Sequence, residues 1–124
     1  MKSFKVPESG SIHDLIQKSF AIDLPIGSGT GLSIDDPITM NVDSEYVSNE
    51  FEVLDFLGYL RSVKWERQKQ ELIEYNHKYI DRITINVTDL MDTKRNYWTE
   101  EYFFDVTDNL AKLRTLLEFN QEMG

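Results

Sequence analysis

Between Arg82 and Val106 the chain alternates apolar and polar residues with a period of two, the period of a β-strand that buries one face. Ile83, Ile85 and Val87 alternate with Arg82, Thr84, Asn86 and Thr88, and the three apolar residues are β-branched, which favours extended backbone. Further on, Trp98, Tyr102, Phe104 and Val106 share one face while Thr99, Glu101 and Asp105 share the other, and Phe103 breaks the rule. Asp92, Thr93, Lys94, Arg95 and Asn96 lie between the two runs and supply turn-forming and charged residues. The pattern predicts an antiparallel hairpin over 82–106, with strands at 82–90 and 97–106 and the apolar face turned toward helices. A slip of one residue would expose the whole Ile/Val face, so burial fixes the register.

The flanking segments supply those helices. Ser11, with Asp14 three residues on, resembles a capping box ahead of Ile12, Leu15, Ile16 and Phe20, which predicts a helix at 12–20. Asp43 or Ser44 caps a second helix, whose apolar residues Val47, Phe51, Leu54 and Leu57 step by four, three and three, with a break expected near 58–63. From 63 to 79 charges dominate, but Trp65, Leu72 and Tyr79 recur every seven residues, which reads as a surface helix with a narrow apolar stripe. Thr107 or Asp108 opens a closing helix through Leu110, Leu113 and Leu116 or Leu117, expected to cover the sheet. Ile38, Met40 and Val42 alternate with polar residues and add a strand at 38–42. The expected fold is a single α+β domain over 1–124, with a small, mainly antiparallel sheet of about three strands and three or four helices.

A chain of 124 residues, of which 40% are hydrophobic, is long enough to bury a core without staples. It contains no cysteine, which excludes a disulfide scaffold, a thiolate zinc site and a Cys nucleophile, and suits a reducing cytoplasm. Met1–Gly10 carries Val6, Pro7, Glu8 and Ser9 where a signal peptide would be apolar, and no segment approaches a membrane span, so the expected location is cytoplasmic. The formal net charge is -9, spread along the chain without an acidic tail. Such a field repels phosphate backbones and anionic membranes and attracts a basic protein.

No catalytic motif stands out. Gly27, Gly29 and Gly31 invite a phosphate-loop reading, but no Gly-Lys-Ser/Thr follows them, and Asp35 and Asp36 would repel an anion. No Gly-x-Ser-x-Gly elbow is present, and the carboxylates Asp35 and Asp36, like Glu100 and Glu101, are adjacent in sequence and diverge on extended backbone rather than converging. His13 beside its helix cap, and His77 with Glu74 and Asp81 at helical spacing, lack a companion His or Cys and read as surface groups, so neither a metal nor a cofactor is expected. The aromatic strand is the stronger signal. Tyr97 and Phe103 are expected on the outer face of the sheet beside Glu101 and Asp105, an apolar spot rimmed by acids. The sequence therefore points to a non-enzymatic interaction protein of bacterial type, inhibitor-like or immunity-like, that meets a basic partner. The alternative is a small-molecule binder or minor enzyme with its pocket under Gly27–Gly31 and Asp35 and Asp36 at the mouth. Self-association through Trp98, Phe103 or the stripe around Trp65 would make a homodimer.

Overall fold

The structure, a computed structural model, describes residues 11–42 and 45–123, with side chains as far as 118. The N-terminal segment 1–10 and the caps expected at Asp43 or Ser44 lie outside the described residues. The described chain is α+β, in the order α1 (Ile12–Phe20), β1 (Ile38–Thr39), α2 (Tyr46–Arg61), β2 (Val63–Tyr75), β3 (Lys78–Asp89), β4 (Tyr97–Asp105) and α3 (Thr107–Met123). The four strands form one mixed sheet in the order β1-β4-β3-β2.

β3 and β4 pair antiparallel, with Ile83 opposite Tyr102, Ile85 opposite Glu100 and Val87 opposite Trp98. Opposed residues share a face, and this face is the core. Ile83, Ile85, Val87, Tyr102 and Phe104 are buried in one cluster with Ile12 and Ile16 of α1 and Val53, Leu54 and Leu57 of α2. Each such side chain stabilises the fold by about 1.5–3 kcal/mol relative to its exposed state. The Ser11 hydroxyl accepts the Asp14 amide at 3.3 Å and closes the start of α1, as the capping pattern predicts.

The segment expected to be a surface helix at 63–79 is instead the edge strand β2. α2 continues through Gly58 and ends at Ser62, which adopts left-handed backbone. Gly58 fits closely there: a Cβ would stand 3.1 Å from the Val63 carbonyl oxygen, where β2 starts back along the helix. β2 then pairs with β3 from Val63 opposite Asp89 to Tyr75 opposite Lys78. Asn76 and His77, both at positive φ, make the two-residue turn. That turn replaces the helical spacing expected for Glu74, His77 and Asp81: Glu74 pairs with Tyr79, Asp81 points into the core face opposite Leu72, and His77 sits exposed at the tip.

Two further expectations change. The strand at 38–42 shrinks to Ile38–Thr39 and runs parallel to β4, because Asn41 turns away to donate to the Pro25 carbonyl at 3.3 Å. The closing helix α3 covers the sheet only through its first turn. Leu110 packs on the core, whereas Leu113, Leu116 and Leu117 are exposed.

Candidate functional site

Several large apolar side chains are exposed where α2 ends and the β3–β4 turn begins. Ser62 caps α2 with its amide on the Gly58 and Tyr59 carbonyls, and its own carbonyl accepts the Leu90 amide at 3.1 Å. That single bond ties the end of α2 to the tip of the hairpin. Around it Tyr59 (67% exposed), Leu60, Leu90, Met91 (73%) and Tyr97 (80%) face solvent. Tyr97 belongs to the same pole because it pairs with Thr88 at the last rung before the turn.

The tip is held by its own polar atoms. Asp89 donates its amide to the Asn96 carbonyl at 2.9 Å and takes the Met91 amide on its carboxylate at 2.9 Å. Asp92 accepts the Lys94 amide at 2.9 Å in an Asx turn, and the Arg95 guanidinium reaches the Leu90 carbonyl at 2.9 Å. A turn fixed in this way presents Leu90 and Met91 without ordering them at the moment of contact.

A buried ionic network anchors α2 beneath the pole. Arg61 grips Glu100 with two hydrogen bonds of 2.7 and 3.0 Å, and Trp98 and Tyr102 each donate to the same carboxylate at 2.8 Å. Burial pushes the Glu100 carboxyl up, but the donors from Arg61, Trp98 and Tyr102 outweigh it and hold it below the ordinary carboxylate range. Burial also pushes the Tyr102 hydroxyl well up.

The residues expected on the outer face of the sheet divide. Tyr97 and Glu101 are exposed there, and Asp105 is half-buried, with its carboxylate accepting the amide and hydroxyl of Thr107 at 3.0 and 2.6 Å. Phe103 also points outward but is only 9% exposed, because the glycine loop meets β4 at that point and the Phe103 amide donates to the Gly31 carbonyl at 2.9 Å. Phe103 therefore presents little surface to solvent. On the same face Arg82, Glu71 and Lys69 are joined by ion pairs of 2.7 and 2.8 Å.

The loop of Gly27, Gly29 and Gly31 closes on its own backbone. The Gly27 amide donates to Thr39 and the Gly31 amide to Asp36, and a Cβ on Gly29, at φ +105°, would lie 2.0 Å from the Pro37 carbonyl oxygen. The amides of Gly27 and Gly31 are therefore committed rather than offered to an anion. Asp36 is used inside the loop by the Thr30 amide and hydroxyl, and Asp35 accepts the Tyr75 hydroxyl at 2.7 Å. The hollow between Asp35, Tyr75 and Ile80 measures about 70 Å³, room for water rather than a metabolite.

One buried acid escaped the sequence reading. Glu50, on the inner face of α2, is 0% exposed, and neither carboxyl oxygen receives a hydrogen bond. Its polar neighbour is Asp81, itself bonded to the Gln70 amide at 2.6 Å. Two carboxylates offer no proton to each other, so the pair is joined by a hydrogen bond only when one carries a proton. Burial first, and Asp81 second, push the Glu50 carboxyl up to about 10. Tyr46, one turn earlier, is pushed up by burial and by the same two acids. His13 is held between Asp23 at 2.5 Å and Asp14 at 3.4 Å, chiefly Asp23 raising its pKa. Among the described residues no three His, Cys, Asp or Glu side chains are grouped to hold a metal ion, and no helix is long and apolar enough to cross a membrane.

Sequence reasoning singled out Tyr97, which is exposed, but not Tyr59, Leu60, Leu90 and Met91; the bond from the Leu90 amide to the Ser62 carbonyl joins two segments distant in sequence. No protein family, curated protein or solved structure matches the chain.

Proposed function

We propose that this chain is a non-enzymatic protein-interaction domain that binds a basic partner through the pole formed by Tyr59, Leu60, Leu90, Met91 and Tyr97. The observation that carries the reading is the exposure of five large apolar side chains at one end of the chain's fold: Tyr59 and Leu60 in the last turn of α2, Leu90 and Met91 in the hairpin turn bonded to Ser62, and Tyr97 on the rung beside it. Tyr and Met are enriched at the centres of interfaces because they bury much area at small entropic loss. Charge selects the partner: the chain carries a formal -9, and Glu52 and Asp55 stand exposed on the helix that leads to Tyr59. A cytoplasmic inhibitor-like or immunity-like protein of bacterial type works in this way, covering a basic target without chemistry of its own.

The test is affinity capture with the wild-type chain beside Met91→Asp and Tyr97→Asp, at low and high salt, followed by titration of the purified partner and circular dichroism of each variant. The expected result is a basic partner whose affinity falls with salt and drops at least about tenfold in each folded variant, as for loss of an interface anchor. Undiminished binding by both variants, or a partner that is itself acidic, refutes the reading.

A further inference from the structure

α3 leaves the body after its first turn. Asn109 donates to the Asn41 carbonyl at 2.9 Å and Leu110 packs on the core, but every residue from 111 to 118 is exposed. Leu113, Leu116 and Leu117 each keep about half of their surface open. Their spacing of three and four continues the line of Leu110 past the edge of the body as one apolar stripe. The other flank, with Ala111, Arg114 and Glu118, looks across an open cleft of about 500 Å³ toward Tyr79. Helices in proteins owe most of their stability to the packing of an apolar face, and among the described residues nothing packs on this one.

We propose that the stripe is closed by α3 of a second copy of this chain, antiparallel across a two-fold axis that crosses the leucine face at the height of Thr115. Charge favours this occupant. Lys112 and Arg114 offset two of the three acids Asp108, Glu118 and Glu122, so α3 carries only -1 in a chain of formal charge -9. A second copy meets little repulsion along this helix, and a basic protein finds little there to select. The register agrees. In an isologous contact residue i meets j and j meets i, and one antiparallel register sets Leu113 against Leu117 of the second copy, Leu117 against its Leu113, and Leu116 beside its own mate. All three open leucines are covered together. Arg114 and Glu118, an ion pair at 3.4 Å within the helix, flank this seam on one side, where the two-fold axis brings each near the opposite charge of the other copy. So short a seam makes a weak, concentration-dependent dimer rather than a permanent one.

Sedimentation equilibrium of the full chain from about 10 µM to 1 mM, the weak end of specific affinity, tests the proposal. The average mass should climb toward twice 14.6 kDa and return to the monomer value in a Leu113→Lys, Leu117→Lys double variant. A second measurement does not depend on that variant's folding. The chain has no cysteine, so Leu116→Cys supplies a single thiol that the two-fold axis places beside its copy, and mild oxidation should link the dimer. Thr115→Cys, on the opposite side of the helix, should not be linked. A monomer at all concentrations, a dimer that survives the double variant, or equal linking through both thiols overturns the proposal.

Discussion

Replacing Glu50 with glutamine should make the protein more stable at neutral pH, although it removes a fully buried side chain's native chemistry. The folded carboxyl is pushed up to about 10, against an ordinary value of 4.5. Between those values the folded state holds a proton that the unfolded state has released. The contribution is therefore complete below about pH 4.5 and shrinks as pH rises, at about 1.4 kcal/mol per unit. At pH 7 that amounts to about 3 kcal/mol. Glutamine has the same shape, carries no charge and can donate its amide to Asp81, so the variant escapes the cost. Urea titrations of both proteins at pH 4, 5.5, 7 and 8.5 would measure the difference directly. The pH dependence of groups remote from Glu50, His13 included, is common to both proteins and cancels. The expected result is near equality at pH 4 and an advantage for Glu50→Gln that widens with pH, worth roughly 10 °C in melting temperature at pH 7. Two curves that stay parallel across this range, or a variant less stable at pH 7, would refute the account of Glu50 as a carboxyl held neutral by burial.

Glu100→Gln leaves Arg61 buried without its counter-charge and should cost about 3–5 kcal/mol; because the Glu100 pKa is lowered by its donors, its contribution is present above the ordinary carboxylate range and is lost as pH falls through the folded value, so the deficit seen in urea titration should narrow on acidification. Gly29→Ala forces a Cβ against the Pro37 carbonyl at a φ that disfavours alanine, and thermal unfolding should show a loss of more than about 1 kcal/mol. The His13 pKa, raised chiefly by Asp23, should fall in Asp23→Asn when followed by proton NMR; the stability that this pair adds is present below about 6.5 and disappears as pH rises through the raised value, so the variant should differ from wild type on the acid side and converge with it on the alkaline side.

β3 and β4 were legible because each buries one face and leaves the other in water, so Ile83, Ile85 and Val87 spell out the sheet in the order in which they are read. Phe103 was legible as an irregularity, but its cover comes from the distant Gly31 loop, and no local pattern reports that contact. The pole is of the same kind. Tyr59 and Leu60 close a helix, Leu90 and Met91 open a turn, and each pair looks like ordinary punctuation until the Ser62 carbonyl joins them. Glu50 did leave a trace: it stands three residues after Val47 and four before Leu54, on the apolar side of α2, where an acid is out of place.

β2 shows why a strand can imitate a helix. Val63, Trp65 and Arg67 oppose Asp89, Val87 and Ile85 on the core face, but the register shifts between Arg67 and Lys69, and from there Gln70 and Leu72 take that face opposite Ile83 and Asp81. The bulge adds one residue, so side chains sharing a face move from odd to even positions. Trp65 and Leu72 consequently lie on one face seven residues apart, the spacing of two helical turns, while the period of two that would have betrayed the strand is broken in the middle. The charges that deepened the resemblance have their own reason in the sheet. β2 is an edge, with one side of its backbone free of a partner strand among the described residues, and Lys64, Glu66, Arg67, Lys69, Glu71 and Glu74 line it. A bulge and a row of charges are the two common means of keeping such an edge from pairing with another chain. With the edge guarded in this way, Leu90 and Met91 of the hairpin turn and Leu113, Leu116 and Leu117 of α3 still offer apolar surface that needs no strand pairing.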